Sequence, residues 1–351
     1  MKTYKIGVVA GDGIGPEVIR EGLKVLNAVA AVEKFKYELV MYPWGSERYL
    51  ATGEACPANV VDEYHKLDAI LLGAIGDPRC PTGVVEHAVI MTMRVGLDLY
   101  VNLRPITLYA EHLCPLKDKK PEDIDMVVCR ENTEDAYTGP WGLTKKGTPD
   151  EIATSLMLYT RKGTERIIRY AFETCRARNK KKKITMVDKA NAIRAHDLWT
   201  RTFQEVAREY PDITTDHAYV DATCMWMIKT PEYYDVVVTT NLFGDIITDL
   251  GAMLQGGMGI AASGNIHPGQ VSMFEPIHGS APKYAGKNVA NPVATVNAVA
   301  MMLDYLGEKS AAQCIDGAVR RLLSSKRIPS VDARSGLSTT EIGDMVAREV
   351  S

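Results

Sequence analysis

The densest chemistry in this chain lies in Asn241-Leu242-Phe243-Gly244-Asp245-Ile246-Ile247-Thr248-Asp249. Asp245 and Asp249 stand four residues apart, so a helix would bring both carboxylates to one face. Two like charges that close repel unless something compensates. A divalent cation does so, and hard oxygen ligands suit Mg²⁺ or Mn²⁺. Taken alone, the spacing equally describes a solvated helix face. Three arginines sit in unusual settings: Arg94 in Met93-Arg94-Val95, Arg104 before Pro105, and Arg130 after the apolar run Met126-Val127-Val128. A guanidinium leaving a strand end lies where α/β sheets bind ligands, and it grips carboxylates bidentately. The alternative for each arginine alone is a structural ion pair. Lys189 follows the apolar run Ile184 to Val187; a lysine there acts as a base when its pKa is lowered.

Two glycine-bearing segments bear on cofactor binding. Gly11-Asp12-Gly13-Ile14-Gly15-Pro16-Glu17 falls between a strand and a helix, the position of a phosphate-binding turn. Its spacing is GxGxGP, and a tight structural turn accounts for it equally well. Phe274-Glu275-Pro276-Ile277-His278-Gly279-Ser280-Ala281-Pro282 reads as a backbone-rich cofactor loop.

The elements that must carry these groups alternate. Short apolar runs at Ile6–Val9, Ala69–Leu72, Met126–Val128, Ile184–Val187 and Val236–Thr239 read as buried strands. Amphipathic stretches at Pro16–Ala30, Gly163–Arg176 and Val293–Leu306 read as helices. That alternation predicts an α/β fold. The uncharged stretch from Leu250 to Phe274 carries Gly256, Gly257, Gly259, Gly264, His267 and Pro268, so it is expected to be loop-rich rather than a membrane helix. Asn179 to Lys183 reads as a solvated turn.

With 351 residues, 46% hydrophobic and 24% charged, the chain can bury a large core. Its formal net charge of -3 gives no electrostatic case for nucleic acid or an acidic membrane surface. The start of the sequence lacks a signal-peptide pattern. Seven scattered cysteines without a CxxC form no disulfide framework, and a reducing cytoplasm fits them best.

In this order, the motifs resemble those of the metal-dependent β-decarboxylating dehydrogenases of (2R)-hydroxy acids, the isocitrate/isopropylmalate dehydrogenase family. The likeness runs from Gly11 to about Asp344. It implies an isopropylmalate-dehydrogenase-like two-domain fold, not the usual Rossmann unit. Residues 1–104 and 251–351 would form a large discontinuous domain with the cofactor loop. Residues 105–250 would form a small domain with dimer contacts, and the site would lie in the cleft between them. A homodimer with shared active sites is implied. By the same resemblance, Arg94, Arg104 and Arg130 bind substrate carboxylates. Asp221, Asp245 and Asp249 hold the metal, with Asp221 also near the substrate and given to the neighbour's site. Lys189 reaches across the dimer as the base, and Tyr137, in Arg130-Glu131-Asn132-Thr133-Glu134-Asp135-Ala136-Tyr137, is the catalytic tyrosine. Both catalytic residues are present, which separates this chain from the non-catalytic subunits of such enzymes.

The stretch Glu86 to Met93 precedes Arg94. In place of the serine and asparagine of bacterial isocitrate enzymes it has Ala88 and Ile90. An isocitrate γ-carboxylate would lose its partners there. Ile90 and Met91 offer an apolar wall, which favours 3-isopropylmalate. Tartrate or D-malate is the alternative, because Tyr42-Pro43-Trp44-Gly45-Ser46 resembles that subgroup; homoisocitrate and isocitrate follow. The implied cofactor residues are Glu275, His278, Gly279, Ser280, Ala281, Lys283, Tyr284 and Asn291. Lys283-Tyr284 matches NADP-linked relatives and Ala290 the NAD-linked type, so NAD is favoured with NADP as the alternative.

Overall fold

The computed structural model describes residues 3–333 and 335–351. The chain is mixed α/β and divides into two compact units. The larger takes residues up to Leu99, Arg104–Ile124 and Ala252–Ser351; the smaller takes Tyr100–Leu103 and Asp125–Gly251.

The larger unit is built on β1 (Thr3–Gly11), β2 (Lys36–Tyr42) and β3 (Ala69–Ala74). β1 pairs in parallel with both neighbours, Ile6 opposite Leu39 on one side and Ala69 on the other. Every residue of β3 is buried, as an all-apolar run inside a parallel sheet requires. The helix Gly15–Glu33 covers this sheet, with Pro16 in its first turn and Val18, Ile19, Val25, Leu26 and Val29 buried. Gly22 lets it approach the helix Val293–Leu306, because a Cβ there would lie 2.8 Å from Thr295 Cγ2. The C-terminal helix Thr339–Val350 starts on a capping box between Ser338 and Glu341.

In the smaller unit β4 is the shared strand: Val101–Thr107 begins there and ends in the larger unit. Next come β5 (Asp125–Glu131) and an antiparallel arm of β6 (Trp141–Thr144) and β7 (Ile152–Ser155). β8 (Lys183–Asp188), β9 (Thr214–Tyr219) and β10 (Val236–Thr239) complete it, in the parallel order β5-β10-β8-β9. β10 is Val-Val-Val-Thr and fully buried. The helix Arg161–Arg178 is capped by Thr160, whose side chain accepts from Gly163 N.

Two expectations differ from this architecture. Residues 105–124, expected in the small domain, pack with the larger unit. Thr107 N donates to Gln255 Oε1 at 2.9 Å and Tyr109 Oη to Asp316 Oδ1 at 2.7 Å. The segment from Leu250 to Phe274 is not mainly loop. It ends the helix Asn241–Leu254 and then supplies β11 (Ala262–Ile266) and most of β12 (Ser272–Pro276), an antiparallel pair with every residue buried. β12 also pairs in parallel with β3. All seven thiols are free, and among the described residues no helix is long and apolar enough to cross a membrane.

Candidate functional site

In the smaller unit the site residues are held by one another. Arg130 ends β5, and its side chain is 1% exposed. Its Nε and Nη2 both donate to Asn241 Oδ1, at 3.0 and 2.6 Å, and its Nη1 donates to Asp245 Oδ1 at 2.5 Å. Gly244 makes room for this side chain: a Cβ there would sit 2.5 Å from Arg130 Cγ. Tyr137 Oη donates to the other Asp245 oxygen at 2.7 Å, and the Arg130 guanidinium carbon lies 5.3 Å from the centre of the Tyr137 ring. A cation, a phenol and a carboxylate therefore meet within hydrogen-bond reach. Asp245 and Asp249 both lie on the helix Asn241–Leu254, as their spacing predicts.

Lys189 follows β8, and its ammonium donates to Asp221 Oδ1 at 2.5 Å. Asp221 opens the helix Val220–Lys229, and its side chain is 66% exposed. The lysine holds the Asp221 carboxyl below the usual carboxylate range. Behind Lys189, the buried Asp188 carboxylate accepts from Ala190 N at 3.0 Å and from His217 Nε2 at 2.9 Å. Among the described residues no three His, Cys, Asp or Glu side chains of one chain gather as a metal site. The smaller unit instead presents the Asp245/Asp249 pair and, apart from it, the exposed Asp221. Hard carboxylate oxygens fit Mg²⁺ or Mn²⁺, and the Asp221 carboxylate is reachable from outside its own chain.

In the larger unit Arg94 and Arg104 are both buried. Arg94 Nη2 donates to Glu275 Oε1 at 3.2 Å. Its Nε is buried with no hydrogen-bond partner among the described residues, an arrangement suited to an incoming carboxylate. Glu275 Oε1 also accepts from Asn265 Nδ2 at 2.7 Å. Glu275, expected to bind cofactor, is thus paired with an expected substrate residue. Ahead of Arg94 the helix widens into a π-turn at His87–Met91, a local irregularity common at functional sites. Ile90 packs half-buried on a core of Val9, Ile70, Leu72, Val89 and Met93, while His87 is exposed.

The segment expected to bind cofactor closes over the glycine turn. Ile14 N donates to Ser280 O at 2.9 Å, and a Cβ on Gly13 would lie 2.0 Å from that carbonyl. The turn's own acid, Asp12, accepts from Ser46 N at 2.8 Å, Ser46 Oγ at 2.7 Å and Gly76 N at 2.8 Å. The first glycine segment is therefore a structural turn, and the Tyr42–Ser46 stretch serves it through Ser46. Further along, the Glu17 carboxylate accepts from Gly286 N and, at 3.2 Å, from Asn288 N. His278 Nε2 is buried without a partner among the described residues, and a Cβ on Gly279 would meet nothing within 4 Å. Open backbone and an unmatched imidazole nitrogen fit a dinucleotide. Lys283 is exposed with its Nζ 4.7 Å from the centre of the Tyr284 ring, and Tyr284 packs beside Ile14, Val18 and Ala290. Asn291 is spent internally, on Ser330 O at 3.1 Å and Val293 N at 3.0 Å.

Sequence reasoning missed Asn241 and Gly244 as the seat of Arg130, although both stand in the Asn241–Asp249 motif. It also missed Asp12 and Glu17, which anchor the loops.

The isocitrate/isopropylmalate dehydrogenase family model matches residues 5–346. A 3-isopropylmalate dehydrogenase of Thermobifida fusca is 49% identical, with 100% of this chain and 98% of that protein covered. One of Nocardia farcinica is 48% identical, with 99% and 100% covered. Among solved structures, an isocitrate dehydrogenase from Methylococcus capsulatus superposes with a TM-score of 0.89 at 36% identity, over 99% of both chains.

Proposed function

The chain belongs to the isocitrate/isopropylmalate dehydrogenase family, and we propose that it oxidatively decarboxylates 3-isopropylmalate with NAD and a divalent cation, Mg²⁺ or Mn²⁺. The observation that carries this reading is the meeting of Arg130, Tyr137 and Asp245. It joins a carboxylate grip, a proton donor and a hard metal ligand. The half-buried, apolar Ile90 and the names of the relatives favour an isopropyl substituent over a charged one.

When bound, nicotinamide accepts the hydride and the cation acts as a Lewis acid. The chain's own groups do the rest. Arg94, Arg104 and Arg130 hold the two carboxylates and fix the pose. Lys189, as its neutral amine, takes the proton of the α-hydroxyl at Nζ, and the ammonium so formed pairs with Asp221. After CO2 leaves, Tyr137 Oη returns a proton to the carbon it vacated. One proton is taken and one given, so turnover has no net proton change.

The homodimer is part of the same reading. Met225, Trp226 and Ile228 are exposed on the helix that carries Asp221, and Trp141, Leu143 and Ile152 on the arm. Apolar surface of that kind marks association. A second copy would cover it and receive Asp221 and Lys189 into its site. Seven free thiols are consistent with a reducing cytoplasm.

Initial rates of NAD and NADP reduction with Mn²⁺ test the reading over 3-isopropylmalate, D-malate, tartrate, isocitrate and homoisocitrate. The highest kcat/KM is expected for 3-isopropylmalate with NAD; preference for D-malate or isocitrate would remove the role given to Ile90. Mixing Lys189→Ala with Asp245→Asn subunits should restore partial activity, and a silent, verified heterodimer would refute shared sites.

A further inference from the structure

A line of buried and half-buried polar groups in the smaller unit has no part in the chemistry above. The Lys189 backbone N–H donates to His196 Nδ1 at 3.0 Å. His196 Nε2 lies 2.9 Å from Tyr159 Oη, and that hydroxyl donates to Asp135 Oδ1 at 2.8 Å. The other Asp135 oxygen accepts from Leu242 N at 2.9 Å, at the start of the helix bearing Asp245 and Asp249. Ala136 N also donates to Asp135 Oδ1, at 2.8 Å. The line thus runs from the backbone of Lys189 to the turn that presents Tyr137.

Its direction is fixed by chemistry. A backbone N–H only donates, so His196 Nδ1 must offer its lone pair. The neutral imidazole then carries its proton on Nε2 and donates to Tyr159, which passes its own single proton to Asp135. A second proton on the imidazole would set two N–H groups against each other at Lys189. Burial disfavours that charged form, although Asp188 and Asp135 pull the other way.

The packing leaves little freedom. His196 and Asp135 are fully buried. The Tyr159 ring stands edge-on to His196, with centroids 5.0 Å apart, and to Trp199 at 6.4 Å. His196 is also edge-on to Phe243. Asp135 has φ of 74°, a left-handed backbone that few non-glycine residues adopt. Its backbone is pinned by Leu158 O and Gly139 N, both at 2.9 Å. That turn points Tyr137 at Asp245.

We propose that Asp135, Tyr159 and His196 are positioning residues that hold the Tyr137 turn, which serves the chain's own site, in register with the Lys189 loop, which serves the second copy's site. The inference rests on the catalytic reading of Tyr137 and Lys189.

The test is steady-state kinetics of the full-length enzyme with 3-isopropylmalate, NAD and Mn²⁺, beside thermal melts. Tyr159→Phe keeps the ring and its edge contacts and removes the one hydroxyl joining His196 to Asp135. The expected result is a fall in kcat of about tenfold or more, from a misplaced proton donor and a misplaced base. KM for both substrates should stay within about twofold, because ground-state binding is untouched. His196→Asn sets an acceptor near the place of Nδ1 and should retain more kcat than His196→Leu. Wild-type kcat in Tyr159→Phe, or equal kcat in the two His196 variants, would overturn the proposal. If Tyr159→Phe does not fold, the His196 pair decides. Lys189→Ala and Tyr137→Phe run alongside. Retained turnover in these would overturn the catalytic reading itself; loss there with wild-type kcat in Tyr159→Phe would overturn only the positioning role.

Discussion

The two units prepare their site residues in opposite ways. In the smaller, Arg130 is bound to Asn241 and Asp245, Tyr137 to Asp245, and Lys189 to Asp221. In the larger, Arg94 Nε and His278 Nε2 are buried without partners among the described residues, and Gly279 borders open space. Tyr137 and Lys189, proposed to move protons, are already oriented, and orientation fixed before reaction is the larger part of electrostatic catalysis. Two groups expected to bind in the larger unit keep unmatched atoms, a donor on Arg94 and an acceptor on His278, whose desolvation a ligand then repays.

This contrast can be broken most severely at Asp245. Asp245→Asn keeps an oxygen that can accept from Arg130, so the melting transition should survive. A metal worth several kcal/mol of transition-state stabilisation would be lost, and kcat should fall by about a thousandfold or more. Retained turnover without added metal would remove Asp245 from that role.

Gly244→Ala should come next. The new methyl meets Arg130 Cγ, Cβ and Cδ, all within 3.0 Å, and the Arg130 side chain has no room to yield. Overpacking of this kind costs about 1–3 kcal/mol, read as a lower denaturant midpoint, and the displaced guanidinium should lower kcat as well. An unchanged midpoint would mean the helix slides to accommodate it.

In the larger unit, effects should fall on ligand preference rather than rate. Lys283 is exposed, so Lys283→Asp should leave stability alone and lower the NADP/NAD ratio of kcat/KM by about tenfold, the equivalent of one modest charge contact. An unchanged ratio would take Lys283 out of the cofactor's reach.

The smallest effect concerns pH. Burial holds His196 below the ordinary histidine range. Its contribution to stability is therefore complete above that range. It declines as pH falls through it, because the unfolded chain takes up a proton the folded chain refuses. The slope from this group is at most about 1.4 kcal/mol per pH unit, and it should be absent in His196→Asn between about pH 7 and 5. The same slope in the variant would assign it to other groups.

Much of this was legible in the residues. Val236–Thr239 and Ala69–Leu72 are apolar throughout, which marks strands buried on both faces, and the Asp245/Asp249 spacing fixed their common helix. The hairpin of β11 and β12 was not legible, because its glycines and the adjacent His267-Pro268 mimic a loop while the strands themselves are short. The π-turn at His87–Met91 leaves no trace in residue type, since it is a slip of hydrogen-bond register. The Asp135–Tyr159–His196 line joins three segments distant in sequence, and only the folded backbone brings them together. The place of residues 105–124 turned on side-chain bonds such as Tyr109 to Asp316, which periodicity does not report.

The grip of Glu17 on Gly286 and Asn288 has a kinetic consequence. Both amides are tied to the helix Gly15–Glu33, so they exchange hydrogen only when that tie opens. Gly279, exposed at the other end of the loop, has no such lock. Amide exchange should therefore form a gradient along the loop, fast near Gly279 and slow at Gly286 and Asn288. Adding NAD should slow the fast end and leave the slow end as it was.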